Sequence, residues 1–234
     1  MILVVASAVD KVAAGFVEEL SLLTPAAVMT CKNIALECCD IHCPNLLASS
    51  LTIDSQKVWL SEVRGVLCLL PTVIPDELYF YPDDEREYQS MEFLALLTYV
   101  FANLPCPVIN RPTACSLSGP FASQTAWYHL AQQLHISVAA RNWLSDEISP
   151  ETEKRSKQET IESTILNGQS IFNHDSKADK LARSLAISAD IQYLHASFLS
   201  GNPYRLNQVK TTPNLREPQV RSALIEALVQ GGAS

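Results

Sequence analysis

The stretch ILVVASAVDKVAAGFVEEL, residues 2–20, contains the clearest structural pattern in the sequence. It opens with a continuous apolar run over residues 2–6, which is typical of a strand buried on both faces. Apolar residues then recur at helical spacing as far as Leu20. The pattern predicts a βα unit, and a repeated βα unit implies a parallel sheet of the α/β class.

Further short apolar runs continue this alternation through the first half of the chain. They predict strands at residues 26–29, 63–70 and 105–110, and a small hairpin over residues 51–59. Residues 87–102 are apolar on nearly every side of a helix, which predicts a helix packed between two layers. We therefore expect an α/β domain over residues 1–115.

The second half has a different pattern. It predicts a helix at residues 123–134, a strand at 136–139, a hairpin at 164–172, a helix at 178–186, a second hairpin at 191–209 and a closing helix from Pro218. Asn167-Gly168 suits the type I′ turn of the first hairpin. Residues 145–163 are almost entirely polar, which predicts a solvated linker or an exposed helix. We therefore expect an α+β domain over residues 116–234 that includes this linker.

Composition and charge exclude several classes of protein. The net charge of -8, from 17 Lys and Arg against 25 Asp and Glu, argues against a nucleic-acid partner. No apolar run approaches the roughly 20 residues that a membrane span needs, so no membrane partner is expected. Seven cysteines and the lack of a secretion signal predict a cytoplasmic protein.

Glycine is scarce. The seven glycines stand at positions 15, 65, 119, 168, 201, 231 and 232. A phosphate-binding loop needs several glycines within a few residues, because the backbone must approach the phosphates closely. A conventional nucleotide loop is therefore excluded.

One group of potential metal ligands lies within thirteen residues: Cys31, Cys38, Cys39, His42 and Cys43. Thiolates and an imidazole could hold zinc, and four ligands would suffice. The spacing lacks two separated Cys-x-x-Cys pairs, however, and a free cysteine is often only a small buried apolar residue. A thiol-based or metal-binding role stays open as an alternative.

The order of several motifs resembles that of a known superfamily. After the opening stretch, with Asp10 before its helix, come VRGVLCLLP (63–71), a helix containing Glu92, PVINRP (107–112), AWYHLAQQLHISVAA (126–140) and LARSLAISADIQYLHASFLSGNPYRLNQVKTTP (181–213). This order resembles the ATP-grasp ligases of the RimK and glutathione-synthetase-like group, which includes the peptide-modifying graspetide ligases. The resemblance implies a Rossmann-like pre-ATP-grasp sheet followed by a truncated ATP-grasp-like α+β domain.

The departures from the family fall on its chemistry. The family's Mg-binding Glu-x-Asn is replaced by Gln208-Val209-Lys210, and its Lys before the 126–140 motif would fall near Gln124. The arginine that follows the family's third strand is replaced within residues 68–70, and its Gly-rich lid is missing between residues 142 and 164. Without lid or metal, phosphoryl transfer has neither a clamp nor charge neutralisation, so neither ATP nor Mg²⁺ is expected as a cofactor.

These departures predict a catalytically inactive ATP-grasp-like protein that acts as a binding or accessory subunit. Its partner would be a peptide, another protein such as a related ligase, or a second copy of itself in a homodimer. The alternative is an enzyme with altered chemistry that binds an anionic small molecule in a crevice lined by Arg111, Asn207, Gln208 and Lys210. The thiol or metal-binding protein is the further alternative.

Overall fold

The fold is given by a computed structural model that describes residues 1–37, 39–114, 116–120, 123–139, 159–172 and 177–231. The chain divides into two compact units, Met1–Phe121 with Thr212–Ser234 and Ala122–Thr211. Of the predicted linker, residues 145–158 lie outside the described residues.

The elements of the first unit are β1 (Ile2–Val5), α1 (Lys11–Ser21), β2 (Ala26–Met29), α2 (Cys31–Leu36), β3 (Cys39–Asp40), β4 (Ser50–Ile53), β5 (Gln56–Trp59), β6 (Gly65–Cys68), α3 (Arg86–Asn103) and β7 (Val108–Ile109). The second unit contains α4 (Gln124–Gln133), β8 (Thr160–Leu166), β9 (Gln169–Ser170), α5 (Lys177–Ser188), β10 (Tyr193–Leu199) and β11 (Arg205–Lys210). The chain then returns to the first unit with α6 (Pro218–Gly231).

The core of the first unit is a parallel sheet in the order β2-β1-β6-β7. All four residues of β1 are buried, as the continuous apolar run predicted. Helix α1 begins after Asp10, whose carboxylate accepts hydrogen bonds from the backbone N–H groups of Val12 and Ala13 at 2.9 and 3.0 Å. The predicted βα unit and the α/β class are confirmed. A small antiparallel sheet, β3-β4-β5, confirms the hairpin predicted at residues 51–59.

Helix α3 forms where it was predicted, but only one of its sides is buried. Phe93, Leu97 and Phe101 lie in the core, whereas the side chains of Tyr88 and Met91 are 59% and 58% exposed. The prediction of a helix packed between two layers is therefore wrong. A helix with one exposed side usually has polar residues there. The outer side of α3 has apolar residues instead, so the sequence suggested burial on every side.

The second unit is an antiparallel sheet in the order β11-β10-β8-β9. Asn167 and Gly168 have φ of 50° and 76°, so the predicted hairpin turn is confirmed. Helices α4 and α5 pack on one face of the sheet, through a core that includes Trp127, Ala131, Ala182, Leu185, Leu194 and Phe198. The strand predicted at residues 136–139 amounts to a single bridge between Val138 and Leu206.

Two boundaries differ from those predicted. Residues 160–163, assigned to the polar linker, begin strand β8, because pairing with β10 and a hydrogen bond from the Ser163 hydroxyl to the buried Asp179 carboxylate satisfy their polar groups. Helix α6 belongs to the first unit, where Leu224 and Leu228 are fully buried. No helix in the described part of the chain is long and apolar enough to cross a membrane.

Candidate functional site

Strand β11 contains three of the four predicted crevice residues. Its register with β10 shifts between the pairs Ser197–Gln208 and Phe198–Leu206, so that Asn207 is the extra residue of a β-bulge. Gln208 and Lys210 are exposed. They alternate with Val209, which joins the helix-covered core, so their side chains lie on the opposite face of the sheet.

Helix α4 holds this bulge in place. The backbone carbonyl of Asn207 accepts hydrogen bonds from the Gln124 side-chain amide at 3.1 Å and from the Tyr128 hydroxyl at 2.8 Å. The Asn207 amide nitrogen in turn donates to the Ser197 hydroxyl at 3.3 Å. In the sequence resemblance, the position of the family's Lys falls near Gln124. The polar groups of the bulge thus contact one another and the backbone.

The donor set around β11 does not fit a magnesium ion. Mg²⁺ in proteins is held through carboxylate and phosphate oxygens, but Gln208 offers a neutral amide and Lys210 an ammonium group. Across strands β8, β10 and β11 the single carboxylate is that of Glu162, which is paired in register with Ser197. Among the described residues, no group of three or more His, Cys, Asp or Glu could hold a metal.

Arg111, the fourth predicted crevice residue, belongs to the first unit and has a structural role. Its Nη1 donates to the backbone carbonyls of Phe101, Ala102 and Leu104 at 3.0–3.1 Å, and its Nη2 donates to that of Cys106 at 3.0 Å. The last carbonyls of a helix have no partners within the helix. The Arg111 guanidinium satisfies those of α3, which commits it to the backbone.

The described members of the cysteine group have different environments. Cys31 is buried in the core, and burial raises the pKa of its thiol to about 12. Cys43 is exposed and accepts a hydrogen bond from the Tyr99 hydroxyl at 3.0 Å, while the His42 ring lies 3.3 Å from the Asp40 carboxylate. Cys39 is partly buried, and Cys38 lies outside the described residues.

A cleft that sequence reasoning missed lies at the carboxyl edge of the parallel sheet. It has a volume of about 200 Å³ and is lined by Asp10, Val12, Leu69 and residues 212–216. From β1 the chain first adds β2 on one side and later β6 on the other, so the strand order reverses between β1 and β6. Open α/β sheets bind ligands at this reversal point. The βα units predicted from the sequence indicate a parallel sheet but not its strand order, so the sequence alone could not locate the cleft.

The cleft contains groups of both charges. Asp10 lies at the start of α1, and the exposed Arg216 lies on the loop before α6. Asn214 fixes that loop, because its side-chain oxygen accepts from the Arg216 N–H at 3.2 Å and its amide donates to Glu217 at 2.8 Å. A carboxylate and a guanidinium around a small cleft suit a ligand with charged or hydrogen-bonding groups of its own.

Comparisons of the sequence with known families are negative: no protein-family model matches the chain, and no curated protein matches it. Comparisons of the fold are positive. The macrocyclase MdnC bound with precursor peptide MdnA, from Microcystis aeruginosa MRC, has a TM-score of 0.72 at 14% identity, covering 98% of this chain and 99% of its own. The ATP-grasp ligase PsnB, complexed with minimal precursor, Mg and ADP, has a TM-score of 0.71 at 13% identity, covering 100% and 98%.

A third structure extends the pattern. The RiPP-associated ATP-grasp ligase of Chryseobacterium gregarium, in complex with ADP and a leader and core peptide, has a TM-score of 0.62 at 7% identity, covering 98% of this chain and 95% of its own. These similarities span nearly the whole length of each chain, while the identities are too low to transfer activity. The resemblance seen in the sequence is confirmed at the level of the fold: this chain has the ATP-grasp ligase fold.

Proposed function

We propose that this chain is a catalytically inactive ATP-grasp-like protein that serves as a binding or accessory subunit for a peptide or a partner protein. The observation that carries this proposal is the exposed face of β11. It presents Gln208 and Lys210 where the resemblance places Mg ligands. An ammonium group there repels a divalent cation, and phosphoryl transfer without the cation lacks its main charge neutralisation.

Two observations support a peptide partner. The similar structures include ligases bound to precursor peptides. The cleft of about 200 Å³ in this chain's first unit is smaller than the roughly 300–1,000 Å³ typical of sites that enclose a whole drug-sized ligand. It suits one or two side chains of a longer partner, which could bond to the Arg216 guanidinium and to the Asp10 carboxylate oxygen that does not cap α1.

A thermal-shift comparison tests the loss of the metal site. The parent protein should show no Mg²⁺-dependent rise in melting temperature with ATP, because a ligand stabilises only a fold that binds it. The double variant Gln208→Glu/Lys210→Asn restores the family's Glu-x-Asn pattern, and we expect it to gain a Mg²⁺-dependent shift. An equal Mg²⁺-dependent rise in the parent and in the variant would contradict the role given to these two residues.

Self-association is the second part of the proposal. If a homodimer forms, sedimentation velocity at micromolar concentration should show a species of twice the chain's mass. A single monomeric species over that range would remove the homodimer and leave the peptide or the heterologous partner.

The exposed Lys210 favours one further candidate, an altered site for an anionic small molecule. Lys210 and Gln208 share the exposed face of β11 with the Asn207 bulge. Arg111 leaves this set, because its guanidinium donates to backbone carbonyls. Titration with ADP and with citrate tests the candidate: binding that Lys210→Ala abolishes supports it, and no binding of either anion excludes it for these two ligands.

A further inference from the structure

The outer side of helix α3 presents apolar side chains that the core does not use. Tyr88 and Met91 are 59% and 58% exposed, and the exposed Ala95 continues the same stripe at helical spacing. The buried side of the helix, which includes Phe93 and Leu97, packs in the core of the first unit. Large apolar side chains grouped on an exposed helix side mark an interaction surface.

The chain segment that contains this stripe is strongly acidic, and its carboxylates are called the acidic rim. Residues 75–92 contain seven carboxylates and one guanidinium, a net charge of -6 out of the chain's -8. The acidic residues are Asp76, Glu77, Asp83, Asp84, Glu85, Glu87 and Glu92. The guanidinium, Arg86, is itself paired with Asp83 at 2.8 Å. The surface therefore attracts cations over a distance of about a Debye length.

The loop before α3 is fixed against the helix. Arg86 donates to the backbone carbonyls of Tyr79 and Tyr81, each at 2.9 Å. The Tyr81 ring lies 6.3 Å from that of Phe93 in the helix core, and the Tyr79 side chain is 56% exposed. An aromatic surface that is ordered before binding loses less conformational entropy when a partner docks.

We propose that this surface, formed by Tyr79, Tyr88 and Met91 within the acidic rim, docks a basic segment of a partner protein. An apolar side chain of that segment would lie on the stripe, and flanking Lys or Arg side chains would meet the carboxylates. Tyrosine rings add to the attraction because cations bind over aromatic faces. A second copy of this chain is the less suitable occupant, since it would bring a charge of -6 against another of -6.

This proposal shares no residue with the cleft or with β11, so it does not depend on the proposed function. The probe is a short fluorescein-labelled peptide of Lys and Leu with the Leu residues on one side of a helix. Matched peptides replace Lys by Glu, or Leu by Ser. Fluorescence anisotropy should show binding of the Lys/Leu peptide alone, weakening as salt rises.

Variants of the protein locate the binding surface. Tyr88→Ser/Met91→Ser should lower the affinity for the Lys/Leu peptide by about tenfold or more, as expected for the centre of an interface. Glu87→Gln/Glu92→Gln should lower the affinity for the Lys/Leu peptide and make that affinity less dependent on salt concentration. The control is Leu22→Ser/Leu23→Ser, which changes side chains that are 85% and 65% exposed after α1. It should leave the affinity unchanged, and thermal melts check that every variant folds.

Four results would overturn the proposal. The first is equal affinity for the Glu/Leu peptide, and the second is equal loss of binding in the Leu22→Ser/Leu23→Ser control. The third is a dimer of this chain that Tyr88→Ser/Met91→Ser dissociates, because the surface would then belong to a second copy. If the Lys/Leu peptide does not bind while the cleft still binds a peptide, the proposal for this surface is overturned and the proposed function is not.

Discussion

The carboxyl edge of the parallel sheet and the β10–β11 hairpin use their polar residues in opposite ways. At the sheet edge, Asp10 caps α1 and the loop at residues 212–216 leaves an open cleft. In the hairpin, Gln124 and Tyr128 donate to the Asn207 carbonyl, and no strand of the hairpin offers a carboxylate. The comparison shows that one fold combines an open cleft at the sheet edge with a hairpin that offers no carboxylate.

The largest loss of stability in the first unit is expected from a substitution at Gly119. Its φ is +95°, and an added Cβ would lie 2.6 Å from the Cβ of the buried Asn110. Gly119→Ala should therefore lower the free energy of unfolding by about 3 kcal/mol, measured by urea denaturation.

The matched control is Gly15→Ala within α1, where an added Cβ meets nothing within 4 Å. There the change should raise stability by about 0.5–1 kcal/mol. A similar effect of both substitutions would contradict the close packing assigned to Gly119.

The second unit should be most sensitive at Asp179. This carboxylate is 2% exposed and accepts a hydrogen bond from Ser163, which is 1% exposed. Asp179→Ala leaves a buried hydroxyl without this acceptor and should cost about 2–3 kcal/mol in urea denaturation. Asp84→Ala, at an exposed carboxylate, should stay within about 0.5 kcal/mol of the parent. Equal effects of the two changes would show that the buried bond contributes little.

The two basic residues predicted for one crevice should respond differently. Arg111→Lys removes most of the hydrogen bonds to the end of α3 and should cost about 2 kcal/mol, because an ammonium group cannot reproduce the planar fork. Lys210→Ala, at an exposed position, should change stability by less than about 0.5 kcal/mol. Chemical denaturation of both variants measures the difference, and a larger effect at Lys210 would reverse the assigned roles.

The buried thiols give the smallest expected effect, and it appears only at high pH. Burial raises the pKa of Cys31 and Cys68 to about 12 from 9.0. The native state therefore holds these protons between pH 9 and 12 while the unfolded state releases them, so stability falls as pH rises through that window. Each thiol should contribute a loss of about 1.4 kcal/mol at pH 10.

Denaturation of the parent and of Cys31→Ala at pH 8 and pH 10 isolates this contribution. The variant should lose less stability than the parent on going to pH 10. The same loss in both proteins would mean that Cys31 is already ionised in the folded chain. Cys43, which is exposed, serves as the control position.

The fold could be predicted from the sequence further than the site could. The apolar run at residues 2–6 and Asn167-Gly168 act locally, so pattern and turn chemistry were sufficient for them. The role of Arg111 depends on carbonyls up to ten residues away that helix α3 leaves unpaired. The cleft combines residues 10 and 216, which only the folded chain brings together. The strand beginning at residue 160 was hidden because its backbone pairs with β10 and the Ser163 hydroxyl bonds to Asp179 in α5, which satisfies a polar stretch.

Isothermal titration of the parent protein with ATP in the presence of Mg²⁺ determines whether strand β11 can still support a metal site. If β11 has lost its metal site, the titration should give no saturable heat, and neither ATP nor Mg²⁺ alone should give any. Saturable binding of ATP that requires Mg²⁺ would contradict the account, because the Gln208 amide and the Lys210 ammonium would then stand beside a functional metal.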